Sequence, residues 1–206
     1  MFEDKNLERI LRKEEKYGID LCFGEDVILL TAEWMAVLPR YRLMEAYRQT
    51  LGAIVEALGY IPDNEVVHIV RCKSSEYVIT HPMPEVVAED VGAFLTEPGD
   101  TERPVKSTGM KFGIWYMVQT RSGEIYGVPS VGPALGVNES GINSKGIQVR
   151  EDENTGEKVY LRTDRPREDK DSQAMLDNWA YLEARQWCVW DAEPGEIKGQ
   201  EDIDDV

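Results

Sequence analysis

The chain has 206 residues, 42% of them hydrophobic, with 39 acidic against 23 basic side chains and a formal net charge of −16. That length supports one large core or two small ones, and five Trp with nine Tyr exclude a disordered chain. The acidity argues against direct nucleic-acid binding, since a phosphate backbone repels such a protein, and no stretch reaches the roughly 20 apolar residues of a membrane span.

From the N-terminus, Asp4 can cap a helix with Leu7, Ile10 and Leu11 on one face, which Gly18 ends. Ile19 to Phe23 and Val27 to Thr31 flank Gly24-Glu25-Asp26 and read as a hairpin. Thr31 to Trp34 is ambiguous, and a short helix interrupted by Pro39 is one reading. Beyond Pro39, Leu43, Met44, Tyr47, Leu51, Ile54, Val55 and Leu58 repeat at helical spacing, which predicts an amphipathic helix over about 40–58, stopped by Gly59. Glu65 to Cys72 and Tyr77 to Thr80 predict a second hairpin around Lys73-Ser74-Ser75, and Pro84 to about Leu95 a further helix.

A loop from Thr96 to Thr108 marks the best subdomain boundary. After it, Phe112 to Thr120 and Glu124 to Val128 form a third hairpin signal, and Ile147 to Glu151 with Lys158 to Thr163 a fourth. Asp171 or Ser172 can cap a last helix, near 172–190. The fold class is therefore α+β, with a mainly antiparallel sheet built from hairpins and packed by helices. The expected division is an N-terminal α+β subdomain at 1–95, a β-rich subdomain with its helix at 109–190 and an acidic tail at 191–206, a single compact domain being the alternative.

Charge is unevenly spread along these elements. Residues 1–48 carry −2 and residues 103–190 are neutral, whereas residues 49–102 carry −8 and the last sixteen −6. The tail charges serve solubility. The −8 lies on helix and hairpin elements and forms the fixed acidic surface, with Glu85, Glu89, Asp90 and Glu97 as the candidate contacts for a basic partner. Trp187 and Trp190, one turn apart at the end of the last helix, are candidate aromatic anchors for a partner or a second copy.

Other motifs are weaker. The three cysteines, Cys22, Cys72 and Cys188, fit neither a disulfide framework nor a zinc ribbon. His68 and Cys72 on one strand lie about 13 Å apart, too far to share a zinc ion; His68 and His81 can approach across the hairpin near Glu65 or Glu85, with no diagnostic spacing, so no metal is expected. Glycines 127, 132, 136, 141 and 146 recur without a dinucleotide or P-loop pattern. Ser144 and Lys145 in that stretch, and Arg162, Arg165 and Arg167 beyond it, are the candidate anion-binding residues. Residues Glu151 to Glu157 fit a hairpin tip better than a calcium loop. No motif implies a cofactor.

Three functions from different classes follow. The favoured one is a non-enzymatic, cytoplasmic acidic module that engages a basic protein surface. Its extreme form is an inhibitor that mimics nucleic-acid charge in the groove of a nucleic-acid-processing protein, the mode of phage and mobile-element anti-defence proteins. The alternatives are an enzyme using the glycine-rich segment at 127–146, with Ser140, Asn143, Ser144 and Lys145, and a structural or assembly subunit that oligomerises through its strands and Trp edge.

Overall fold

The computed structural model describes residues 4–41, 48–72, 76–95, 102–129 and 139–190. Helix α1 (Asp4–Glu14) leads into strands β1 (Ile19–Phe23), β2 (Asp26–Leu30) and β3 (Trp34–Pro39). Helix α2 (Arg48–Leu58), the hairpin β4 (Glu65–Arg71) and β5 (Tyr77–Thr80), and helix α3 (Pro84–Phe94) follow. Six more strands are β6 (Arg103–Phe112), β7 (Trp115–Thr120), β8 (Ile125–Val128), β9 (Glu139–Ile142), β10 (Ile147–Asp152) and β11 (Glu157–Arg162), before helix α4 (Gln173–Glu183). The fold is α+β. Its described strands form one antiparallel sheet in the order β5-β4-β1-β2-β3-β11-β10-β9-β6-β7-β8.

Side-chain alternation explains how helices cover the first half of this sheet. Ile19, Leu21, Val27, Leu29, Trp34, Ala36 and Leu38 share one core with Leu7, Ile10 and Leu11 of α1 and Ile54 of α2. The opposite face sets Leu30 and Met35 against Val87 and Phe94 of α3. Strands β2 and β3 are thus covered on both sides, which accounts for their near-continuous apolar runs. It also settles the ambiguity at 31–39. Thr31 Oγ1 accepts the backbone N–H groups of Glu33 and Trp34, closing a tight turn, and Trp34 to Pro39 is strand. Pro39 is harmless as the last residue of that strand.

The predicted hairpins are present as β1–β2, β4–β5, β7–β8 and β10–β11. The helix expected over 40–58 is α2, with Arg40 and Tyr41 also helical; residues 42–47, including Leu43, Met44 and Tyr47, lie outside the described residues. Gly59, at φ +77°, ends it in the left-handed region as expected.

The expected boundary loop is corrected. Arg103 already starts β6, which pairs with β7 on one side and β9 on the other and absorbs a register shift between Ser107 and Lys111. Strands from residues 19–80 and 103–162 join directly where β3 pairs with β11, through Trp34 with Leu161, Met35 with Tyr160, Ala36 with Val159 and Val37 with Lys158.

The last helix ends earlier than residue 190. Ser172 caps its start and Ala184 follows its last turn. The backbone then crosses the sheet because the fully buried Gln119 captures it, accepting the N–H groups of Trp187 and Cys188 while donating to the carbonyls of Gly123 and Arg185.

Trp34, completely buried at the β3–β11 join, makes that join testable. Trp34→Ala is expected to lower unfolding free energy by about 3–5 kcal/mol in urea denaturation; a loss below about 1 kcal/mol would show that the join does not carry the fold.

Candidate functional site

Helix α3 lifts the acidic cluster to the surface. Pro84 opens it, where a missing N–H is harmless, and Val87, Val91 and Phe94 repeat at i, i+4 and i+7 to face the sheet. Glu85, Glu89 and Asp90 are left exposed, with Met83 and Val86 exposed beside them. Among the described residues, none of these three carboxylates meets a cation. Four acids elsewhere are paired: Asp63 meets Arg40 at 2.6 Å, Glu15 meets Arg71 at 3.5 Å, Glu151 meets Lys158 at 3.1 Å and Glu183 meets Arg165 at 2.6 Å. Glu97, the fourth predicted contact, lies outside the described residues.

A cavity of about 340 Å³ opens between the second half of α3 and the strand ends. Asp90 and Phe94 line it from the helix, Asp20 and Leu30 from β1 and β2, and Arg162 from β11. The Arg162 guanidinium lies over the Phe94 ring, 4.7 Å from its centroid. Asp20 Oδ1 sits 2.7 Å from His68 Nδ1. The His68 ring packs so closely on Gly18, at φ +103°, that a Cβ there would stand 2.6 Å from the ring. Just outside, Lys145 Nζ donates to the Leu95 carbonyl at 3.1 Å. Two cations therefore gather at the C-terminal end of α3, where the helix dipole is negative. Two separately predicted residues, Asp90 of α3 and Arg162 of β11, share one cavity.

Arg165 and Arg167 stand elsewhere. A groove of about 580 Å³ runs along α4, bordered by Arg165, Glu168, Gln173, Asp177 and Glu183. Arg165 is already engaged there by Glu124 and Glu183 and lies over the Tyr126 ring. Arg167 is exposed, and its backbone N–H donates to Asp171.

Trp187 is half-buried in the α4 core with its indole N–H donating to the Leu182 carbonyl, and Trp190 lies under the Lys106 ammonium; both follow the helix rather than sitting within it. The glycine series is not one loop: Gly127 lies in β8, Gly141 in β9 and Gly146 in the following turn, while Gly132 and Gly136 are outside the described residues. A Cβ at Gly127 would meet Trp115 and Trp179 at a tight 3.2 and 3.3 Å, and one at Gly141 would stand 2.5 Å from Glu102, closer than a side chain permits. Ser140 accepts from Gln148, and Asn143 Oδ1 accepts the backbone N–H groups of Lys145 and Ile147, so these residues shape the β9–β10 turn; Ser144 lies exposed within it. His81 lies 3.7 Å from Glu65, so each histidine has a carboxylate of its own. Among the described residues, no three metal-binding side chains gather, and no helix is long and apolar enough to cross a membrane.

Asp20, which lines the cavity, and His68, its partner, are a pair that the sequence did not assign. The available signal was a lone carboxylate inside the apolar run Ile19 to Phe23, which a sheet face must either expose or pair. A comparison of the chain with family models, curated proteins and solved structures finds no match among them.

Burial and the nearby Asp20 charge push the Cys22 thiol up to about 11. Burial also raises Cys188, opposed by Lys106, whereas Cys72 is exposed. A thiol with pKa near 11 is only about 0.1% thiolate at pH 8, against roughly a quarter for an ordinary cysteine. Iodoacetamide at pH 8 is therefore expected to label Cys72 first and Cys22 at least about tenfold more slowly, read by peptide mass spectrometry. Equal rates would contradict the buried setting of Cys22. In Gln119→Leu, which removes the acceptor for two backbone N–H groups, Cys188 labelling is expected to accelerate by about tenfold or more; an unchanged rate would mean that Gln119 does not hold this segment.

Proposed function

We propose that the protein is a non-enzymatic docking module that engages a basic surface of a partner protein through the outer face of α3. The observation that carries this reading is the contrast in charge pairing. Glu15, Asp63, Glu151 and Glu183 are each matched by arginine or lysine, whereas Glu85 and Glu89, one turn apart on a single helix, are exposed without a cation among the described residues. Unmatched charge on an ordered element costs self-repulsion and attracts an opposite surface. Exposed Met83 and Val86, at 67% and 51%, add apolar contact beside those carboxylates.

A basic partner would gain long-range attraction from this face, screened over about 8 Å at physiological salt. Nucleic-acid mimicry is the finer form of the same proposal: the partner's basic groove would be one that normally holds a phosphate backbone. The exposed turn of carboxylates supports charge recognition. Competition by duplex DNA distinguishes that form from an ordinary acidic docking face.

The test begins with affinity capture at about 0.05 and 0.5 M salt, followed by titration of the purified captured protein. The double reversal E85K/E89K is expected to weaken binding by about tenfold or more at the lower salt, equivalent to about 1.4 kcal/mol. High salt should produce a similar loss in the wild type. Equal affinity for wild type and variant at both salts would overturn the proposal.

A further inference from the structure

Two opposite charges line the cavity at α3 without neutralising each other. Among the described residues, the Arg162 side chain has the Phe94 ring as its contact and no acidic partner, and Asp90 has no cationic partner. The guanidinium lies 4.7 Å from the centre of the Phe94 ring, a contact that uses none of its N–H donors, and those donors suit a planar acid group. Asp20 on β1 is held by His68.

We infer that this cavity binds a small zwitterion of the free amino-acid class, with its carboxylate on Arg162 and its ammonium on Asp90. A simple anion would meet Arg162 but face the carboxylates of Asp20 and Asp90. A simple cation would meet those acids but face Arg162. One molecule carrying both charges satisfies the two sides together. Leu30 and Phe94, both almost fully buried, form the floor of the cavity. The volume of about 340 Å³ lies at the small end of ligand cavities, which run from about 300 to 1,000 Å³.

This site stands apart from the proposed docking face, because Glu85 and Glu89 do not line the cavity. Its test is an amide NMR titration of the full chain with each of the standard L-amino acids, then with the N-acetyl and carboxamide forms of any that bind. The expected result is saturable shifts around Asp20, Asp90, Phe94 and Arg162, with at least about tenfold weaker binding once either ligand charge is removed. Arg162→Met, which keeps an apolar stem over Phe94, and Asp90→Asn should each weaken the parent ligand by a similar factor, whereas E85K/E89K should leave it unchanged. The ligand pair tests the charges even where a variant fails to fold. No shift at these residues with any amino acid, or equal binding of the blocked forms, would overturn the inference.

Discussion

The antiparallel pairing of β3 with β11 is the constraint on which the rest of the arrangement depends. It joins residues more than a hundred positions apart in the chain, Trp34 opposite Leu161 among them, and connects two groups of strands into one sheet. Such distant pairing gains nothing until the intervening chain is ordered. Burial of the full indole of Trp34 and of Leu161 and Val159 on the α1–α2 side makes the join favourable. The opposite side of the same strands receives α3. Arg162, the last residue of β11, consequently reaches Phe94, and a basic residue from the neutral part of the sequence enters a cavity walled by the acidic part.

This placement changes the meaning of the net charge. Pairing neutralises acids at the hairpin of β10 and β11, beside Arg165 and at Arg40, and those groups fix turns and edges. The acids of α3 sit where three turns of helix bury just one apolar stripe, leaving the remaining positions for solvent or a partner. Exposed ion pairs contribute little stability in any case, so adding cations opposite Glu85 and Glu89 would alter recognition more than folding.

Local signals made much of the architecture legible. Hairpins were visible because their turn residues and apolar runs lie within a few positions of each other, and α2 and α3 because their apolar spacing is helical. What escaped were features defined by distant partners. Four-residue β9 contains Gly141 and has little intrinsic strand character, yet it is held between β6 and β10. The end of α4 is decided by Gln119 from another strand rather than by a stop signal nearby. The same division applies to the site: Asp90 and Arg162 are individually apparent from charge, but their common cavity and the Asp20–His68 pair require the assembled sheet.

The turn and pocket chemistry sharpens the distinction between reactive groups and recognising groups. Ser140, Asn143 and Lys145 direct hydrogen bonds to Gln148, to a turn and to the Leu95 carbonyl. Burial disfavors the thiolates of Cys22 and Cys188, and each histidine lies beside a carboxylate. Surplus charge instead gathers around α3, acidic on its outer face and mixed at its cavity. A partner surface and a small zwitterion would meet these two sides through different residues of the same helix, so electrostatic recognition can be divided between them without requiring either ligand to occupy the other's position.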